Sequence, residues 1–521
     1  MYRCVEARSR PLLLVGVLLA LAAPASAEIP VAPPLELSEA VLEWSPLFGR
    51  HIAPAPDRAG LRELPVISAE AGIAGAGALR RLAAQGRAGG LAGVVYDNRD
   101  RGHSALDMRI FPQLTPVVYD KGLRAAGIDN GLAGAVIFPA PVIGNSSTAV
   151  TSGPAPRSLG RLAMTVREGP WRGWQDYASN HLYVYPAHRD HDAVDLFPAT
   201  WPYMVLSQGS SHSDRPFVEA LLATLAAFPP ETRARLEAGR LIAPTLQMIL
   251  RRTQAGVYSR AAYLSGVAHP TVFARDRLQP ERMVAMANAM APEEIPPLVV
   301  LRVEEESFLA RAGLADLSER LFDTPAAIAR VWRGWEAGKE MVLSAQGTRD
   351  PEGRELDFDW VLLRGDPERV RITPLDARGG RARIEVGWHA RRPVMPRDAR
   401  LGDRVDIGVF ARGGVHDSAP ALVSVSFPAH ERREFEPGPD GGERLVAVDY
   451  DAIGRGAAFD PLLHWSAPWR DVFAHDPVGR ITGWTRQHTD GREDIFGAVV
   501  TGGSHRVVRD PGGAPTLEFA Q

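Results

Sequence analysis

The sequence predicts a multidomain chain: a mixed α/β N-terminal domain, then an all-β sandwich, then a β-rich C-terminal tail. Three observations predict it. A length of 521 residues is more than one core usually organises. Up to about residue 335, short β-branched runs interleave with segments of helical period; beyond it, apolar and polar residues alternate between turn residues. A composition of 45% apolar and 23% charged residues is ordinary for globular protein, so long unstructured tracts are not expected.

Residues 1–27, MYRCVEARSRPLLLVGVLLALAAPASA, place Arg3, Arg8 and Arg10 ahead of an apolar run and end on Ala25-Ser26-Ala27. This is the pattern of a secretory signal peptide cleaved after Ala27, and it predicts a secreted or periplasmic bacterial protein. The apolar run is short for a bilayer, and no later segment nears the roughly 20 apolar residues of a membrane helix, so no transmembrane helix is expected after cleavage. The only cysteine, Cys4, lies in the signal. The processed chain has no thiol, which excludes disulfides, cysteine nucleophiles and zinc-thiolate clusters. Removing three arginines and Glu6 takes the formal charge from −3 to −5, which argues against a nucleic-acid partner.

Residues 28–60 are rich in proline and alanine and read as an extended lead-in with one short helix around Leu37 to Trp44. The α/β domain is expected over 61–335. Its strands are LAGVVYDN, LTPVVYD, two within LAGAVIFPAPVIGNSSTAV, HLYVYP and WPYMVLS. Helices follow at DRPFVEALLATLAAF, PPETRARLEAG, APTLQMILRRT and ERMVAMANAMA, several with an Asp, Pro or Glu start signal.

The sandwich is expected over 336–430, from alternating runs separated by turns at Asp350–Gly353, Gly365-Asp366 and Gly379-Gly380. Within it, Ser344, Asp350-Pro351-Glu352-Gly353, Leu356, Phe358 and Trp360, with Gly365-Asp366 and Ala382, Ile384 and Val386 downstream, resemble a PKD-type immunoglobulin-like domain over about 340–428. The segment VLLRGDPERV after the tryptophan lacks the aromatic and second glycine of that signature. The resemblance implies a PKD/Ig-like fold with its tryptophan between the sheets, and a spacer or a glycan- or protein-facing module. Residues 431–521 read as hairpins. The motif D-x-x-G-R recurs at Asp350, Asp451 and Asp476, where Asp starts a turn and Gly takes the left-handed position.

Three polar clusters carry the candidate chemistry. His188, Asp190, His191 and Asp192 are the densest, with His188, His191 and Asp192 as candidate metal ligands; a divalent metal ion is the one cofactor the sequence suggests. No HExxH is present, and the same side chains would serve a solvated loop equally well. Ser210, Ser211 and His212 sit in a turn between a predicted strand and a helix, where backbone N–H groups can meet a substrate or anion. The turn matches neither a nucleophile elbow nor a phosphate loop, and Asp214 as helix cap would explain it structurally. Arg99 and His103 lie in the third cluster, Asp97 to Ser104, at a strand's C-terminal end. Read as strand, loop, strand, the clusters at 188–195 and 207–214 should lie at opposite ends of one strand, roughly 20 Å apart.

Among minor features, Asn145-Ser146-Ser147 fits a glycosylation sequon but reads as a turn. Trp171, Trp174 and Trp201 are sugar platform or core. Asp350, Glu352 and Asp357 are calcium ligands or a plain turn.

Two functions survive. One is an exported protein binding an extracellular polymer or cell-surface partner, with the sandwich as spacer. The other is a secreted hydrolase of carbohydrate type, with His188, His191 and Asp190 or Asp192 binding a metal or activating water, Arg99 neutralising an anionic group, and the turn at Ser210 and Ser211 holding substrate. No catalytic motif meets its family pattern, which tips the sequence toward binding. Convergence of His103, His188, His191 and His212 would favour the enzyme.

Overall fold

Valine, isoleucine and tyrosine runs closed by Asp, Asn, Pro or Ser form a six-stranded parallel sheet in the computed structural model, which describes residues 30–131, 136–147, 160–395, 398–452, 463–497, 505–509 and 515–519. The signal segment 1–27 and the second D-x-x-G-R motif, from residue 453 on, lie outside the described residues. The principal strands are β1 (Leu35–Leu37), β2 (Val95–Asn98), β3 (Thr115–Tyr119), β4 (Val142–Asn145), β5 (His181–Pro186) and β6 (Met204–Ser207), ordered β1-β3-β2-β4-β5-β6. Every neighbouring pair is parallel. Such a sheet is covered on both faces, which is why β5 and β6 are buried at every position. Without its edge strand β1, the order is the doubly wound 2-1-3-4-5, whose switch point falls between β2 and β4.

The lead-in is less detached than its composition suggests. It contributes β1, and the helix expected near Leu37 is a single 3-10 turn at Glu39–Val41 followed by a strand at Glu43–Ser45. Helices α1 (Ala76–Ala84) and α2 (Gly169–Tyr177) escaped the sequence reading, whereas α3 (Arg215–Ala227), α4 (Pro230–Ala238), α5 (Ile242–Thr253) and α6 (Pro280–Ala289) fall where it placed helices. Helices α1, α3, α5 and α6 pack on one another, and α3 lies against β4 and β5.

The β-rich part begins at Arg302, ahead of the change in texture at 336. One sheet holds β7 (Arg302–Glu306), β10 (Gly338–Ser344), β13 (Arg381–Gly387) and β12 (Val370–Pro374). The other holds β8 (Arg320–Thr324), β9 (Ala327–Val331), β15 (Ala421–Ser426), β14 (Arg404–Arg412) and β11 (Asp357–Arg364). The large tryptophan of this region's core is Trp332, fully buried against Phe308, Trp388 and Phe427. Trp360 is half-buried and donates its indole N–H to the Gly379 carbonyl at 2.7 Å. A further antiparallel sheet runs β16 (Arg432–Pro437), β17 (Glu443–Asp449), β18 (Trp469–His475), β19 (Ile481–His488) and β20 (Glu493–Gly497), with its own core around Trp465, Phe473 and Trp484.

The α/β layer and the sandwich share one apolar core, joined where Trp201 meets Phe322 at 6.0 Å between ring centroids. Beside it lies a buried ionic knot. Asp195 receives Arg404 at 3.2 Å and Arg364, while Arg404 also holds Asp406 at 2.8 Å. Burial works against the Asp195 carboxylate, and Arg404 and Arg364 outweigh it, holding the group well below the usual carboxylate range. Among the described residues, no helix is long and apolar enough to cross a membrane.

Candidate active site

The C-terminal ends of β2, β4, β5 and β6 all point to one edge of the sheet, and the polar clusters follow those ends. The clusters after β5 and β6 are therefore neighbours, contrary to the 20 Å separation expected from the sequence. His188 N donates to the Gly209 carbonyl at 2.8 Å, as Ala187 N does to Ser207. The reason is topological: β5 and β6 are parallel, so the chain returns to the far edge before β6 begins, and both strands end at the same side.

At the switch point, Asp100 follows β2 and Ser147 follows β4. The Asp100 carboxylate accepts the Ser147 backbone N–H at 3.0 Å and also its hydroxyl, and lies 3.2 Å from His103 Nδ1. Ser147 Oγ is 3.3 Å from the same nitrogen. The His188 Nε2–H donates to the Ser147 carbonyl at 3.0 Å, and the His212 ring lies 5.1 Å from that of His103. His103, His188 and His212 thus converge; His191 does not.

Beneath this rim stands a buried polar layer. Asn145, 1% exposed, donates to Asp214 Oδ2 at 2.5 Å and to the Ser104 carbonyl at 3.0 Å, and accepts from the Tyr96 hydroxyl at 2.7 Å. An amide so enclosed is no glycan acceptor. Asp214 makes no capping bond to α3: its side chain turns to Asn145 instead, and its other oxygen is buried without a hydrogen-bond partner among the described residues. Burial pushes this carboxyl above the ordinary aspartate value.

The backbone is strained here. Of seven non-glycine residues with positive φ among those described, Arg101, Ser104, His188 and His212 surround the site. Such conformations cost on the order of 1–3 kcal/mol each and persist where surrounding structure enforces them, as at functional sites.

Other candidates from the sequence go elsewhere. Arg99 is fully buried: it pairs with Asp97 at 2.7 Å, lies 3.7 Å from Asp176 and covers the Tyr183 ring, so it faces no ligand. Its guanidinium joins Arg50, His181, Tyr119 and Tyr183 in a charged layer inside the protein. Asp190 is buried with both oxygens on Arg161, each at 2.8 Å, and burial pushes its carboxyl up to about 6 against that pairing. His191 is buried with Nδ1 3.8 Å from Asp195, while Asp192 is exposed. The set His188, His191 and Asp192 is therefore not assembled, because the chain turns inward after His188. Among the described residues, no three His, Cys, Asp or Glu side chains stand where they could hold a metal ion. Ser210 is exposed and Ser211 half-buried on the same rim as His212, whose backbone N–H donates to Ser104 Oγ at 3.1 Å.

The aromatic candidates are mostly core. Trp201 is 3% exposed, and Trp174, Tyr177 and Trp201 all ring Tyr203. Asp350 is occupied by its own turn, accepting from the backbone of Glu352 and Arg354 and from the Arg354 side chain, and Asp357 pairs with Arg378.

No family model matches the chain, and no curated protein matches it. One similar solved structure is a nucleoside hydrolase-related hypothetical protein from Saccharophagus degradans described as associated with carbohydrate metabolism. It is 10% identical, covers 64% of this chain and 99% of its own, and has a TM-score of 0.19. At that level it assigns neither fold nor activity.

Proposed function

We propose that the chain is a hydrolase whose site is the switch-point rim, with His103 and Asp100 activating a water molecule. The observation that carries this reading is the convergence of Asp100, His103, Ser147, His188 and His212 from four strand ends onto one strained edge. Asp100 beside Nδ1 favours the tautomer with its proton there, leaving Nε2 as the basic nitrogen. Among the described residues Nε2 has no protein partner, and the ring is 46% exposed, so a water can reach it. Ser147 meets the same Nδ1 rather than Nε2, so the array differs from a serine-nucleophile relay, in which the two nitrogens serve acid and serine separately. Asp214, whose carboxyl burial pushes above the ordinary aspartate value, lies beneath this rim on the Asn145 amide. The hydroxyls and imidazoles of Ser210, Ser211, His188 and His212 suit a polyhydroxylated, carbohydrate-type substrate.

In the same reading residues 1–27 direct export and the sandwich is a PKD-type spacer, supported by the Asp350 turn, while Trp360, half-buried, departs from the pattern. N-terminal sequencing of the exported chain should begin at Glu28; retention of residue 1 would remove the export claim. The alternative, a module that only binds an extracellular polymer or cell-surface partner, leaves the His103 dyad without a task. The assay that separates them is release of reducing sugar and of nitrophenol from chromogenic glycosides. We expect turnover by the native chain and a loss on the order of 10²–10⁴-fold in kcat for Asp100→Asn and for His103→Ala, with unchanged melting. Turnover unaffected by both variants, or none on any glycoside, would sink the proposal.

A further inference from the structure

At the opposite, N-terminal edge of the parallel sheet, a cavity of about 550 Å³ opens between the segment entering β2 and helix α4. Its charge is lopsided. Arg58, Arg62 and Arg233 line it against a single carboxylate, Glu237. Glu237 is already divided, taking Arg58 on one oxygen at 2.5 Å and Arg233 on the other at 2.6 Å. Arg62 is exposed and has no ionic or hydrogen-bonded partner among the described residues. The Arg233 side chain is 7% exposed, and its Nε finds no acceptor. Burial holds that guanidinium below the usual arginine range, a cost that a bound negative charge would offset.

Local sequence builds this arrangement. The run AGGLAG, residues 88–93, carries glycines where side chains would collide with the arginines. A Cβ on Gly93, at φ +82°, would fall 2.5 Å from Arg58 Nε, and one on Gly89 would fall 3.1 Å from the Arg233 Cβ and 2.9 Å from the Phe228 carbonyl. Two arginine side chains can therefore lie against bare backbone while the cavity between them stays open.

Three guanidinium groups around one carboxylate leave a net charge of about +2 in a concavity where solvent screening is reduced. We infer that this cavity binds an oxyanion, a phosphate or carboxylate group of a small ligand, gripped by Arg58, Arg62 and Arg233. The planar donor fork of arginine matches both groups. The site lies across the sheet from the His103 dyad and stands independently of the hydrolase reading.

The test is isothermal titration of the full chain at low ionic strength with inorganic phosphate and, separately, with glucuronate. We expect saturable binding of at least one, weakened tenfold or more by Arg62→Gln, whose melting temperature without ligand should match the native chain because the residue is exposed and unpaired. Binding of phosphate alone would assign a phosphorylated ligand, and of glucuronate alone an acidic sugar. Arg58→Gln should weaken the same titration. Failure of both anions to saturate, or equal affinity in native and Arg62→Gln chains, would overturn the inference.

Discussion

His269 shows how a single buried side chain ties stability to acidity. It is 5% exposed, lies between Tyr263 and Phe410 with ring centroids 5.0 Å from each, and gives its Nε2–H to the Tyr263 carbonyl. Burial, with the nearby Arg251 cation, holds its pKa well below the usual 6.5. Below pH 6.5 the unfolded chain takes up a proton that the native chain refuses, so stability falls as pH falls, by up to about 1.4 kcal/mol per pH unit for each such histidine. His464 is depressed in the same direction, chiefly by burial. Urea melts at pH 6.5, 6.0 and 5.5 should show this loss, and His269→Gln, which keeps an N–H donor but cannot titrate, should shallow the slope by about one proton. Identical slopes would clear His269 of the effect. The sequence marked other histidines for attention, since clustering can be counted and burial cannot. Of those, His103, His188 and His212 do meet and His191 does not; the candidates Arg99 and Asp190 are absorbed by ion pairs with partners remote in sequence, Asp176 and Arg161.

At the scale of elements, patterning was legible wherever a run had a clear period and a punctuated end. The strands ending VVYDN and LYVYP and the four later helices lie where their residues put them. Helix α2 opens at Gly169-Pro170 and spaces Trp171, Trp174 and Tyr177 at helical intervals, but at nine residues with Arg, Gln and Asp between them the repeat is short, and in the sequence the tryptophans read only as sugar platform or core. Turn chemistry was legible too: in Asp350–Arg354 and Asp476–Arg480 the aspartate accepts two backbone N–H groups and the glycine has positive φ, +72° at Gly353 and +85° at Gly479. No atom lies within 4 Å of a Cβ built on Gly353, so Gly353→Ala isolates the conformational cost. Denaturant unfolding should show a loss of about 1–2 kcal/mol. A neutral result would mean that the turn relaxes to another conformation. What patterning could not reveal was strand order. Placing 188–195 and 207–214 at opposite ends of one strand assumed no return crossing, and the parallel pairing of β5 with β6 reverses that conclusion.

For the whole molecule, the ionic knot at Asp195 and the shared core tie the α/β layer to the β-rich sheets, so the two are expected to unfold as one cooperative unit. Besides the two carboxylates, Arg404 bonds the hydroxyls of Thr200 and Thr271 and the Phe197 carbonyl, so five polar groups depend on one guanidinium. Arg404→Met would fill similar space while leaving Asp195 and Asp406 short of a cation, and should cost about 3–5 kcal/mol. Calorimetry should show one transition moving down as a unit. Two separated transitions would mean that the layers fold independently.

The knot also sets a clock. Asp195 leaves the ribosome 209 residues before Arg404. At about 5–20 residues per second, roughly 10–40 s pass before Arg404 is made, Arg364 having come earlier. During that interval the parallel sheet must either wait unfinished or close over a hydrated carboxylate that later has to be stripped of water. The face around Trp201 and Thr200 is completed only when residue 404 arrives.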